Sequence, residues 1–315
     1  MPFGFGLQTR PHDASIADLR RLWRYAEDSG FDWLSIYDHP FYAGNLVRHQ
    51  RTQPVFESVA ALALMAATTQ RVRLGCVVFC VPYRNPCLLA KSAVTIDHIS
   101  GGRFEIGLGA GWFEAEFREF GYGFPPLAER MDRLEEAIQI IRSLFQDQRT
   151  TFHGRHYQIN EAICSPKPIQ RSMPIWVGGM GEKRTLAIAA RYADGWNAYD
   201  LGPGAFRHKS LVLDRWCEKL GRDPAGIPRT LNLGFYMGVD EATAERKRRT
   251  IFATMDDELR EGQIVGTVQQ VTDRMGEYVV AGVNQVNVTV PPPVDWDALH
   301  AFVEGVMPAF RRGSA

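Results

Sequence analysis

Four short clusters carry residue types that can do chemistry. In Tyr37-Asp38-His39-Pro40, histidine is the side chain most easily tuned to exchange a proton near neutral pH. The adjacent carboxylate can help position it, or a cofactor. The competing reading is an aspartate that caps a turn before Pro40 and a histidine that fills a gap. Gly107-Leu108-Gly109-Ala110-Gly111-Trp112 sets glycines at alternate positions, where the missing Cβ lets backbone approach a ligand or simply packs tightly. It is not the dinucleotide fingerprint, because the third glycine of GxGxxG is absent and Trp112 follows the last loop glycine. Val177-Gly178-Gly179-Met180-Gly181-Glu182 leads into a helix expected from Glu182, and amides exposed there suit a cofactor phosphate. No lysine followed by Ser or Thr completes a Walker loop, so triphosphate hydrolysis is not expected; a plain glycine-rich turn is the alternative. The fourth cluster, Gly75-Cys76-Val77-Val78-Phe79-Cys80-Val81-Pro82, is either an ordinary buried strand or an apolar rest for something flat.

Each cluster follows a short apolar run. Strands are expected over 3–8, 32–37, 72–78, 104–108, 175–177, 195–198, 231–239 and 284–290. Amphipathic stretches separate them. The first is capped by Ser15 with Asp18 as capping-box partner and runs to Gly30. Others cover 56–68, 86–98 with Pro86 in the first turn, 127–145, 182–192, 206–220, 241–258, 268–280 and 296–310. A hairpin at 150–159 around His153-Gly154-Arg155 interrupts the rhythm. Strands alternating with helices imply parallel pairing and right-handed crossovers. Eight such units favour a closed (β/α)8 TIM barrel over an open doubly wound sheet, with residues 1–315 as one domain. In such a barrel the chemistry sits where strands end and loops begin, and all four clusters fall there.

Composition excludes several classes. The 315 residues carry 36 basic and 36 acidic side chains, a balance that argues against nucleic-acid or membrane-surface partners. No apolar run approaches the roughly 18–20 residues of a bilayer span, and no basic-then-apolar leader opens the chain. A cytoplasmic protein with a small-molecule substrate is expected. The five cysteines form no CxxC pair, so buried, inert thiols are expected and no metal site. A barrel isomerase or hydrolase needs paired carboxylates or a lysine at strand ends, where only Asp38, Asp194 and Asp200 stand. The run Arg246-Lys247-Arg248-Arg249 reads as a solvated helix face, distant from any strand end.

Taken together, the clusters resemble the luciferase-like family of monooxygenases and reductases. The resemblance rests on Asp38-His39, Arg84-Asn85-Pro86 with Ala90-Lys91, Ser100-Gly101-Gly102-Arg103-Phe104 running into the glycine string, and Pro174-Ile175-Trp176-Val177-Gly178-Gly179. Gly111-Trp112-Phe113-Glu114-Ala115-Glu116 and Glu129-Arg130 through Glu135-Glu136 resemble in particular the coenzyme F420 (deazaflavin) branch, and Gly221-Arg222-Asp223-Pro224 and Gly266-Thr267 resemble the family's late helices. The likeness implies a luciferase-like barrel with F420, or alternatively FMN, lying against a bulge in strand three with a cis peptide between Val77 and Val78. It implies that Asp38 reaches the cofactor's polar edge and that His39 is the acid or base. Cys80, Ala110 and Gly111 would lie along the ring or its side chain. Gly178, Gly179, Met180 and Gly181 would cradle the phosphate ahead of Glu182. Trp112 stands where sugar-phosphate dehydrogenases of the family have a glutamate. It suggests an apolar wall over the substrate and favours substrate reduction over alcohol oxidation, as the carboxylate partner is missing. An FMN-dependent monooxygenase and a non-catalytic flavin-binding barrel are the alternatives. The family's habit implies a homodimer through early helices, and specificity set by loops after Asp38 and Asn197.

Overall fold

The computed structural model describes residues 3–41, 54–253 and 255–311. The loop after Asp38 thus falls in part on 42–53, outside the described residues. Eight parallel strands are present: β1 (Gly4–Thr9), β2 (Trp33–Ile36), β3 (Arg73–Cys80), β4 (Phe104–Gly109), β5 (Ile175–Gly178), β6 (Gly195–Tyr199), β7 (Arg229–Phe235) and β8 (Gln285–Val290). They pair in chain order, and β8 returns to β1 in register from Gly4 opposite Gln285 to Thr9 opposite Val290, closing the barrel. A two-residue strand, Gln263–Ile264, adds to β7.

Outside the register shift of β3, the strands alternate in what their two faces carry. Phe5 and Leu7, Leu74 and Cys76, Ile106 and Leu108, and Val286 and Val288 belong to the large core between barrel and helices. The intervening positions point into the barrel: many are small or polar, among them Gln8, Gly107, Gly109, Gly178, Asn197, Asn232, Asn287 and Thr289, while Trp33 and Trp176 stack at 5.4 Å beside Val77 as a separate apolar cluster. The inward amides satisfy one another: Asn197 and Asn287 both donate to Asn232 Oδ1, at 3.0 and 2.7 Å.

Local signals hold where their chemistry is local. Ser15 and Asp18 form the capping box of helix Ile16–Asp28, Pro86 opens helix Pro86–Ser100, and Thr150–His153 pairs with Gln158–Ala162 as the hairpin. Three expectations shift. The helix expected from Glu182 starts at Thr185: Leu186 N–H bonds the Gly181 carbonyl, while Trp216 Nε1 takes the Glu182 carbonyl at 2.8 Å. The stretch 241–258 splits into Glu241–Phe252 and Asp257–Arg260, the Arg260 guanidinium capping the Phe252 and Met255 carbonyls. The last helix carries a π-turn at Phe302–Val306, next to Pro308, which has no N–H for the i−4 bond. Among the described residues no helix is long and apolar enough to cross a membrane.

Candidate active site

The C-terminal mouth of the barrel gathers side chains from the loops after β2, β3 and β4. Asp38 follows β2 and is 6% exposed. Each of its oxygens meets two donors. Oδ1 takes Ser58 Oγ and Arg84 Nη2 (2.9 Å), and Oδ2 takes the Cys80 N–H (2.9 Å) and Arg84 Nη1 (2.5 Å). Asp38 therefore ties the end of β3 and its following turn to β2. Arg84 also reaches Glu57, at 2.6 Å.

His39, the next residue, sends Nδ1 to Glu116 Oε1 at 2.7 Å. Glu116 lies on helix Glu114–Glu119 after β4 and is 1% exposed. Its other oxygen accepts from the Tyr83 hydroxyl at 2.6 Å. Burial pushes the Tyr83 hydroxyl well above its ordinary range, with the neighbouring Cys80 and the bonded Glu116 adding to the effect, so it stays an O–H donor. With Nδ1 engaged, Nε2 is the ring nitrogen left to face a substrate. The imidazole is flanked by Tyr37 at 5.1 Å and Trp112 at 6.1 Å between ring centroids. Trp112 is 52% exposed and stacks on Phe113 at 5.2 Å, the position of a wall over the mouth. Neither Glu116 nor Tyr83 was singled out by sequence reasoning, although Glu116 closes the family-like string from Gly111. A second histidine sits nearby: His12, after β1, is 4% exposed and its Nδ1 lies 2.5 Å from the Tyr37 hydroxyl. Burial, reinforced by the charge of Arg10, lowers its pKa to about 4.

β3 departs from regular geometry beside these groups. The peptide between Val77 and Val78 is cis, and the pairing with β4 shifts register between Cys76 and Phe79. Gln8 Nε2 holds the Val77 carbonyl from across the barrel, at 3.2 Å. The alternate glycines make room for this pair: a Cβ on Gly109 or Gly178 would lie 2.5 Å from a Val78 methyl. The space their missing side chains leave is thus filled by the valine. Gly111 has φ +75°, and a Cβ there would lie 2.6 Å from Cys80 Sγ. Its carbonyl is held by Arg130, whose guanidinium stacks on Phe124. Ala110, half-buried beside it, packs on the core. The Cys80 thiol is pushed up by burial and by the Asp38 charge, in keeping with an inert role.

The loop after β5 turns at Gly179, φ +121°. Gly179 N–H bonds the Asn197 carbonyl at 3.1 Å. Among the described residues the amides of Met180, Gly181 and Glu182 have no protein acceptor. The Glu182 side chain turns outward to Lys209 (2.7 Å) and His208 (2.9 Å), away from that loop. Of the other carboxylates near strands, Asp194 precedes β6, where it receives Arg142 at 2.9 Å. Asp200 bonds Gln263 at 3.2 Å. Neither is among the bonding partners of Asp38. Among the described residues no group of three or more His, Cys, Asp or Glu is set to hold a metal. Arg246 and Lys247, expected far from any strand end, instead line a cavity at the ends of β7 and β8.

Eight parallel strands thus close into a (β/α)8 barrel whose C-terminal mouth gathers Asp38, His39 and Glu116. The chain matches the family model described as luciferase-like monooxygenase over residues 1–285 and belongs to that family. An uncharacterised protein of Mycobacterium tuberculosis (strain ATCC 25618 / H37Rv) is 30% identical over 244 residues, 74% of this chain and 83% of that one. The FMNH2-dependent dimethylsulfone monooxygenase of Pseudomonas putida is 31% identical over 175 residues, 56% of this chain and 46% of that one. In structure, an F420-dependent secondary alcohol dehydrogenase solved with an F420–acetone adduct superposes with a TM-score of 0.85 at 21% identity, covering 99% of this chain and 100% of that one.

Proposed function

We propose that the protein is a coenzyme F420-dependent oxidoreductase that moves a hydride between the deazaflavin and a small carbonyl or alcohol substrate. The carrying observation is the His39–Glu116–Tyr83 chain, with a buried carboxylate 2.7 Å from Nδ1. Hydride arriving at a carbonyl carbon requires a proton at oxygen, and a histidine backed by a carboxylate is suited to give or take it.

The residues present fit a flat, phosphate-tailed cofactor on two counts. Val77 and Val78 offer an apolar rest, with Gly109 and Gly178 shaped around Val78. The amides of Met180, Gly181 and Glu182 are free to meet a phosphate. When bound, the cofactor supplies the carbon that accepts or releases hydride. The protein does the rest: His39 Nε2 moves the proton at the substrate oxygen, Glu116 stabilises the imidazolium, and Trp112 with Phe113 shields the substrate face. In this reading Asp38 acts on the Cys80–Arg84 turn, both its oxygens being occupied. The preference for reduction drawn from Trp112 loses its ground, because Glu116 gives His39 a carboxylate; the pair serves either direction.

The 31% identity to an FMNH2-dependent monooxygenase favours a second reading, the same mouth holding FMN. Titrating the protein with F420 and with FMN, followed by fluorescence, decides between them, and binding of neither overturns both. His39→Asn should keep cofactor affinity and lose on the order of 100-fold or more in turnover; full activity refutes the role of His39. A homodimer is proposed from the family's habit, with sedimentation velocity as its check.

A further inference from the structure

A cavity of about 250 Å³ opens between the ends of β7 and β8, room for roughly eight waters at their liquid volume. Phe235, Tyr236, Val290 and Pro293 contribute apolar wall, and the charged lining is Arg246 and Lys247, successive residues of helix Glu241–Phe252, with Asp295. The two cations differ in what surrounds them. Lys247 Nζ lies 2.5 Å from Asp295 and 2.5 Å from the Met237 carbonyl, so its charge is met within the fold. Arg248 and Arg249 both pair with Glu245, at 3.0 and 2.8 Å. Asp240 lies within the field of Arg246, but its carboxylate caps the helix at Thr243 N–H, 2.7 Å away. Arg246 is exposed, and among the described residues its guanidinium has no protein acceptor.

We propose that this cavity binds the carboxylate of a small, largely apolar organic acid, with Arg246 as its cation. One planar guanidinium presents a donor fork that matches a carboxylate. Apolar walls suit the body of such an acid, whereas a phosphate dianion needs more donors than one free arginine supplies. The cavity opens at the same end of the barrel as His39, since β8 pairs with β1 and β1 with β2. Taking the acid as the substrate's distal end rests on the oxidoreductase reading; the binding itself does not.

The probe is benzoate, with benzamide as its neutral counterpart, titrated by ligand-observed NMR into the full chain and into Arg246→Gln and Arg246→Lys. Benzoate should bind the wild type, weaken at least tenfold in Arg246→Gln and largely recover in Arg246→Lys, while benzamide is indifferent to all three. Equal benzoate binding by wild type and Arg246→Gln overturns the proposal, as does an equal loss of benzamide. Titration of F420 into the same variants separates the two readings. Arg246→Gln that loses F420 and keeps benzoate makes Arg246 a cofactor residue and overturns the carboxylate site. A wild type that binds benzoate and no cofactor leaves the site standing and removes the function proposed above.

Discussion

Glu116→Gln tests the mechanism at its most specific point. The substitution keeps the side chain's shape and removes its charge. The amide oxygen can still accept from His39 Nδ1, and the amide nitrogen faces the Tyr83 oxygen. What disappears is the attraction between a carboxylate and the imidazolium that forms during proton transfer. At the observed 2.7 Å that attraction is about 6 kcal/mol gross for an effective dielectric of 20. Hydrogen bonds to charged groups leave a net of about 1.5–3 kcal/mol after competing hydration is counted, and Glu116, 1% exposed, belongs at the upper part of that range. Converted to rate, the loss in kcat is about 10–150-fold. Cofactor affinity should stay within about threefold, because Glu116 touches His39 and Tyr83 rather than the valine bulge. Two measurements decide it. Single-turnover absorbance of the bound cofactor gives the rate, and ¹⁵N spectra of the His39 ring report which nitrogen carries the proton. A variant with wild-type turnover and an unchanged His39 ¹⁵N spectrum refutes the reasoning; lost cofactor binding would make Glu116 a structural residue instead.

Two further outcomes follow from the geometry. Gly109→Ala places a methyl 2.5 Å from Val78 Cγ2 and should cost about 1–3 kcal/mol in urea unfolding; adding Val78→Ala should recover most of that cost, and strictly additive effects in the double-mutant cycle would show that the two sites do not touch. His12 is held near pKa 4 against 6.5 for a free ring, so the unfolded chain takes up a proton that the native state refuses. Its contribution to stability is therefore present above pH 6.5 and lost as pH falls toward 4, by up to about 3 kcal/mol. Unfolding midpoints between pH 7 and 4 should fall less steeply in His12→Gln, and parallel slopes would exclude His12 as the source.

The barrel is legible in the sequence because its outward positions are apolar without interruption and glycine or proline marks most boundaries. Where apolarity runs past the hydrogen-bonding ladder the reading overshoots, as in 231–239, whose strand ends at Phe235 while Met237 remains buried in the same core. The short helix Glu114–Glu119 gives no capping signal: its N-cap residue is Phe113, whose side chain makes no cap hydrogen bond. The site divides along the same line. Its residue types are visible locally, and its pairings are not. Glu116 meets His39 across 77 positions and Arg84 meets Asp38 across 46, separations that no local spacing rule covers. The alternate glycines of β4 were visible as a pattern, yet what occupies the space beside them comes from β3.

The same distinction explains why a run of four cations reads as one solvated face and folds into something less uniform. Arg248 and Arg249 find Glu245 three and four residues back, within reach of a sequence argument. Lys247 finds Asp295, 48 positions on, which the pairing of β8 with β7 brings alongside. Arg246 finds no acceptor among the described residues, and it is the one beside the cavity. His39 follows the same logic, with one ring nitrogen consumed by Glu116 and one left over at the mouth. A charge or lone pair already matched by the fold is held in place and has little left with which to bind. Unmatched groups placed where the strands end are where a ligand gains most on arrival, and among the described residues Nε2 of His39, the amides after Gly179 and the guanidinium of Arg246 are of this kind.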